Sequence, residues 1–146
     1  MAIEVYKAET YSTEGLQVVC RARQFEMVLD EPKNIGGTDA GMTPVEALLC
    51  SLGACKVIVA RAFSKSHKIH LKDIRVELEG ELDTDGFMGK NSEAKIGFSK
   101  ITSHFFIDAD NTEDEIIAFV EFINATCPVH DTMSISPKFD TKVNII

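Results

Sequence analysis

Apolar residues recur along this chain with two different periods, and the change of period divides it into strands and helices. Alternation of apolar with polar residues predicts short strands at 3–8, 16–21 and 25–29, with Glu14-Gly15 as the turn between the first two. The stretch 30–42 holds Pro32, Asn34, Gly36, Gly37, Asp39 and Gly41 and reads as a loop. The period then lengthens. Val45, Leu48, Leu49, Leu52, Cys55, Val59 and Phe63 recur at helical spacing, while Ala47, Ala54, Val57 and Ile58 make the other faces apolar. Thr43 is placed as N-cap, Pro44 as the first helical residue and Glu46 as the reciprocal acid of a capping box. Between 45 and 64 the only charges are Glu46, Lys56 and Arg61, so this helix is expected to be buried on most sides.

Alternation returns at Ile74, Val76, Leu78 and Gly80, and Ile96, Phe98, Ile101, Phe105 and Ile107 predict a partner strand. The span 83–95, with Asp85-Gly86 inside it, is the connection. Thr112 and Glu115 form a second capping box, opening a helix through Ile116, Ile117, Phe119, Val120 and Ile123 that should end near Asn124. Cys127-Pro128 begins a short helix, and Phe139, Val143 and Ile145 suggest a closing strand. No repeat, low-complexity tract or linker interrupts the order. It predicts a single α+β domain over 1–146, with a mainly antiparallel sheet packed on a long central helix. A helix this apolar needs further cover, so a homodimer is expected.

A domain of 146 residues buries about 68% of its unfolded surface, enough for a core without crosslinks. The formal net charge of -8 and the scattered Lys and Arg argue against nucleic acid as a partner. The first residues lack a leader pattern and no apolar run reaches membrane-spanning length, so a cytosolic protein with no membrane partner is expected.

The candidate chemistry lies in the thiols. Cysteines stand at 20, 50, 55 and 127, a set that does not read as a secreted disulfide framework. Cys50 and Cys55 are five apart on the predicted helix, which turns them about 140° from each other and sets their Cα atoms about 8 Å apart, too far to bridge. Cys127 and His130 supply only half of a tetrahedral zinc site, so no metal is expected. Cys127 is the thiol that local physics favours as reactive, since an N-cap sulfur facing helix amides has a lowered pKa. Cys55 lies mid-helix, where no orphan amide faces it, although Gly53 and Ala54 would let another element approach. Cys20 and Cys50 read as packing. If Cys55 and Cys127 meet, the protein is a redox protein.

Thr43-Pro44, the acid that follows, Cys55 eleven positions after the proline, the Gly36-Gly37 loop and Cys127-Pro128-Val129 together resemble the superfamily of osmotically inducible protein C and organic hydroperoxide resistance proteins. The likeness extends over nearly the whole chain. It implies an OsmC-like fold in an intertwined homodimer, with sites at the subunit interface. It also implies a peroxidase in which Cys55 is the peroxidatic and Cys127 the resolving cysteine, with no cofactor. The reductant would be a small or lipoyl-type dithiol and the substrate an organic hydroperoxide, in oxidative or osmotic stress defence. This assigns first attack to Cys55, the reverse of the helix-terminus argument.

Two positions depart from the enzymes of that superfamily. They carry Glu directly after the helix-opening proline, where this chain has Val45, with Glu46 one place later and about 100° round the helix. They also aim an arginine at the thiolate, and the loop from 34 to 43 has none. Glu46, Arg23 and Arg21 are the candidates for these roles. Uninterrupted alternation would point both arginines inward with Phe25, Met27 and Leu29, and a bulge near Gln24 would reverse that. His130 stands near enough to polarise Cys127, whereas His67, His70 and His104 read as surface or strand residues. The Gly36-Gly37 loop lacks phosphate-binding patterns and reads as a flexible connection. The alternative function is an OsmC-like protein without strong peroxidase activity, acting as a redox sensor or binding an apolar small molecule.

Overall fold

Three short strands pair first: β1 (Glu9–Ser12), β2 (Val18–Ala22) and β3 (Phe25–Leu29), antiparallel in the order β1-β2-β3. The computed structural model describes residues 1–146 and falls into two compact units, Met1–Leu49 and Cys50–Ile146. In the first unit, β1 lies later than the expected 3–8. Its place is set by pairing of Glu9 with Arg21 through Ser12 with Val18, across a turn in which Gly15 has φ 62°. Strand pairing overrides the apolar pattern of the preceding residues.

Between β2 and β3 only Arg23 and Gln24 intervene, with Arg23 at φ 57° and Ala22 opposite Phe25. This tight hairpin ends the alternation that would have turned Arg21 and Arg23 inward, and both are exposed. Arg21 faces Glu26 across the ladder and pairs with it, its guanidinium 5.1 Å from the Tyr11 ring centroid, while the Arg23 guanidinium stands 5.0 Å from that of Phe25.

The loop after β3 is not slack. Asp30 is buried, and its carboxylate accepts from the backbone N–H of Glu31 at 2.7 Å and of Thr38 and Ala40 at 3.2 Å each, and from the Thr38 hydroxyl. A Cβ on Gly37 would lie 1.8 Å from the Glu31 carbonyl oxygen, so Gly37 marks a backbone crossing rather than a flexible connection. The loop delivers the chain to α1 (Pro44–Phe63), whose predicted capping box is present: Thr43 N–H donates to Glu46 Oε2 at 2.7 Å and Glu46 N–H to Thr43 Oγ1 at 3.3 Å.

In the second unit, β4 (Leu71–Leu82) and β5 (Phe98–Ala109) form a long antiparallel ribbon with Val76 opposite Phe105 and Ile74 opposite Ile107. Ile74 is buried and Val76 and Leu78 are half-buried, while Arg75, Glu77 and Glu79 on the other face are exposed, the alternation expected of a one-sided sheet. The connection contains a short helix, α2 (Thr84–Phe87), capped by Asp83. The helix α3 (Glu113–Thr126) starts at the predicted Thr112–Glu115 box and runs two residues past Asn124; α4 (Pro128–Ser134) follows at once. The expected closing strand is absent. Residues 139–145 carry no regular structure, and Phe139, Val143 and Ile145 are exposed, because no sheet edge in the chain accepts their backbone groups.

One core joins Leu52, Val59 and Ala60 of α1, Ile69, Ile74 of β4, Phe119 and Ile123 of α3, and Cys127. Burying a side chain such as Phe119 or Ile123 contributes about 1.5–3 kcal/mol. A Cβ on Gly53 would fall 2.7 Å from Leu78 Cδ2, so this glycine lets α1 seat against β4. Within one chain α1 buries a single stripe, Leu52, Gly53, Lys56, Val59 and Ala60, and leaves Ile58 65% exposed.

Candidate functional site

The site grows from the junction of α3 and α4. Cys127 closes one helix, its N–H donating to the Ile123 carbonyl at 3.0 Å, and caps the next, its sulfur accepting from the His130 N–H at 3.4 Å. Pro128 occupies the first position of α4, where its missing N–H costs nothing. Two helices thus share one fully buried thiol.

The first turn of α4 offers a second amide, that of Val129, and it acts on Cys55 from across the core, favouring the thiolate. This corrects the expectation that no orphan amide faces Cys55. Cys55 and Cys127 are free thiols, with Cys55 packed against the core cluster that contains Cys127. Burial and then the hydrogen bond with Cys127 raise the Cys55 pKa above its ordinary value, against the lowering influence of Val129 and of the Lys56 charge. Cys55 is half-buried and Cys127 wholly so, which leaves Cys55 the more open of the two.

Lys56 is the residue that sequence reasoning passed over. It is 1% exposed, and its Nζ donates to Asn124 Oδ1 on α3 and lies 3.2 Å from His130 Nδ1 on α4. The ammonium also stands 5.6 Å from the Phe105 ring centroid. Burial lowers its pKa, and the nearby Cys127 and Cys55 act in the opposite direction. A signal was available: Lys56 is in phase with Leu52, Val59 and Ala60, the buried stripe of an otherwise apolar helix.

His130 is half-buried; burial first, and then the Lys56 charge, lower its pKa, with Asp131 opposing. Beside it opens a cavity of about 230 Å³ lined in part by Leu52, Phe98, Ile101, Ser103 and Met133.

The other candidates have partners of their own. The Glu46 carboxylate accepts from Thr43, and Arg21 and Arg23 make the contacts already described within the N-terminal unit. Cys50 is exposed rather than packed, and half-buried Cys20 accepts from the Thr10 hydroxyl at 3.6 Å. His67 is exposed as expected, with its ring lying 3.9 Å from that of Phe122 between centroids. No three His, Cys, Asp or Glu side chains converge in an arrangement that could hold a metal ion. No helix is long and apolar enough to cross a membrane.

Comparison with known proteins agrees with this fold. Residues 37–142 match the family described as OsmC-like protein. A protein of Mycoplasma pneumoniae named hydroperoxide reductase is 28% identical over 141 residues, covering 96% of this chain and 94% of the relative. A protein of the same name from Mycoplasma genitalium is 30% identical over 122 residues, covering 83% and 79%. The crystal structure of an OsmC-like protein from Mycoplasma pneumoniae superposes with a TM-score of 0.80 at 26% identity, covering 91% of this chain and 89% of that one. An organic hydroperoxide resistance protein from Legionella pneumophila shares the fold at a TM-score of 0.68 and 19% identity, over 91% of each chain. With its α+β fold, its helix-borne Cys55 and a family match that spans most of its length, this chain belongs to the OsmC-like protein family.

Proposed function

We propose that this protein is a cytosolic thiol peroxidase that reduces organic hydroperoxides through Cys55 and Cys127. One observation carries the reading: two free thiols from distant parts of the chain share one cluster, with Cys55 packed against the core that holds buried Cys127 at the start of α4. The relatives named hydroperoxide reductase support the class of reaction.

In this reading the Cys55 thiolate attacks the terminal oxygen of the hydroperoxide. An S–O bond forms and the O–O bond breaks; the alkoxide takes the proton that Cys55 released and leaves as an alcohol. The Cys127 sulfur then attacks the Cys55 sulfenic acid, forming S–S and breaking S–O, and hydroxide leaves as water with the Cys127 proton. The two thiols have supplied the two electrons the peroxide gained. A small or lipoyl-type dithiol returns them by exchange through a mixed disulfide and ends as a disulfide itself. Cys55 takes the first role because it is the more open sulfur, and the apolar surroundings of the pair suit an alkyl or aryl peroxide.

The protein acts as a homodimer, a reading supported by the apolar side chains that α1 leaves open, including Val45, Leu48 and Ile58. Glu46, Arg21 and Arg23 are not needed for the two-thiol step, and each has a local partner that accounts for it.

The same pair of free thiols serves one second reading, a sensor that oxidises once and stops. Consumption of cumene hydroperoxide by reduced protein with dihydrolipoamide or dithiothreitol separates the two. Many turnovers per site, lost in Cys55→Ser, support the peroxidase; one equivalent consumed, or none, rejects it.

A further inference from the structure

The chain holds a buried cation with no carboxylate to neutralise it. Lys56 is 1% exposed and takes part in none of the ion pairs the chain makes. Buried charges are ordinarily paired, because an isolated one is costly to remove from water. Its surroundings are neutral: the Asn124 carboxamide on α3, the His130 imidazole on α4 at 3.2 Å and the Phe105 ring on β5. The remaining ionisable groups that act on it are Cys55, its neighbour on α1, and Cys127 at the start of α4, with Asp131 acting on His130 from the next position. Of the three ammonium protons, one goes to Asn124 Oδ1 and one to the His130 nitrogen, and the two thiols are the only groups acting on this cation that can become anionic.

We infer that Lys56 is the positioning residue of the thiol pair, a buried cation held in place by Asn124 and His130 so that its charge eases the ionisation of one of the two sulfurs against the opposing effect of burial. This rests on the reading that the pair reacts with peroxide as a thiolate. It gives the site a cation from the residue next to Cys55, in a chain whose loop from 34 to 43 lacks arginine. The thiols raise the proton affinity of Lys56 while burial lowers it, the mutual dependence such a pairing requires. The α4 amides act on the same sulfurs, Val129 on Cys55 and His130 on Cys127.

The test is the ionisation of the thiols, read without any peroxide. Alkylation of the reduced full chain by iodoacetamide is followed site by site by peptide mass spectrometry from pH 5 to 10, in the wild type and in Lys56→Met. Methionine fills a similar volume without charge, and such replacements of buried ions commonly fold. The expected result is a rise in the alkylation midpoint of the more reactive of Cys55 and Cys127 by about one pH unit, roughly tenfold less thiolate near neutrality. Exposed Cys50 should be unchanged and serves as the internal standard. Identical midpoints in two folded proteins overturn the assignment.

A second measurement needs no variant. The Lys56 Nζ resonance of the wild type is titrated before and after the thiols are oxidised to the disulfide. Its midpoint should fall once the sulfurs cannot carry charge, and an unmoved midpoint overturns the assignment equally. The outcomes are separable from those of the peroxidase reading. Shifted titrations in a protein that turns over no peroxide support Lys56 and reject the peroxidase, whereas peroxide turnover with unshifted titrations rejects Lys56 alone.

Discussion

The Nζ of Lys56 and the Nδ1 of His130 lie 3.2 Å apart, two nitrogens that must share a single proton. An ammonium has no lone pair to offer, so the imidazole accepts at Nδ1 and carries its own proton on Nε2. The backbone N–H of the same histidine donates to Cys127 Sγ. His130 therefore joins the buried cation to the thiol-bearing helix start by two separate bonds.

That arrangement fixes a pH dependence. The pKa of His130 in the folded chain lies below its ordinary 6.5, so the native state keeps the ring neutral at pH values where the unfolded chain has begun to bind a proton. Stability from this site should be complete above about pH 6.5 and decline as pH falls through it. Thermal unfolding of the wild type between pH 7.5 and 5 should show that decline, and His130→Gln, which cannot titrate, should reduce it. Imidazole nitrogen spectra at pH 7.5 should report an unprotonated Nδ1. A protonated Nδ1 would contradict the contact.

Asn124 gives a second outcome, because it supplies the only oxygen that Lys56 is bonded to. Asn124→Leu removes an acceptor from a buried ammonium and should cost about 1–3 kcal/mol in urea unfolding. Lys56→Met removes the group that needed it. In the double variant the loss should be smaller than the sum of the two single losses, a coupling readable from a double-mutant cycle.

Much of this architecture could be read from residue order. Thr43 with Glu46 and Thr112 with Glu115 each announce a helix start by local chemistry, and the helices begin there. The ribbon of β4 and β5 follows from alternation that one buried face demands. What pattern could not supply was contact between distant elements. Val129 reaches Cys55 only because α4 starts beside α1, and Lys56 reads as one charge among three until α3 and α4 close over it. For Arg21 and Arg23 alternation left two orientations open, and a tight two-residue turn at Arg23-Gln24, without the glycine that usually marks one, decides for the exposed one.

Asp30 predicts an acid response in the N-terminal unit. Its bonds with the Thr38 side chain and the Glu31, Ala40 and Thr38 amides lower its pKa from 3.8 to about 2. A carboxylate with a depressed pKa stabilises the fold fully above the unfolded value and loses that contribution as pH falls through the folded one. The loop at 30–40 should therefore hold at pH 5 and open between about pH 4 and 2. Amide exchange of Thr38 and Ala40 measures this directly. Asp30→Asn should speed their exchange at neutral pH and flatten its dependence below pH 4.

Two glycines should respond to alanine very differently. At Gly37 the new Cβ would stand 1.8 Å from the Glu31 carbonyl oxygen, 2.3 Å from its carbon and 2.8 Å from its Cα. All three are backbone atoms of a segment pinned by the Asp30 carboxylate, so relief requires moving the loop rather than rotating a side chain. Gly37→Ala should cost more than about 2 kcal/mol. At Gly53 the Cβ would stand 2.7 Å from Leu78 Cδ2, the end of a side chain that can change rotamer. Alanine there also gains up to about 1 kcal/mol of helix propensity, so the two effects oppose. Gly53→Ala should fall within about 1 kcal/mol of the wild type. Urea unfolding of both variants tests the contrast. Equal losses would mean that α1 and β4 are seated as rigidly at Leu78 as the loop is at Glu31.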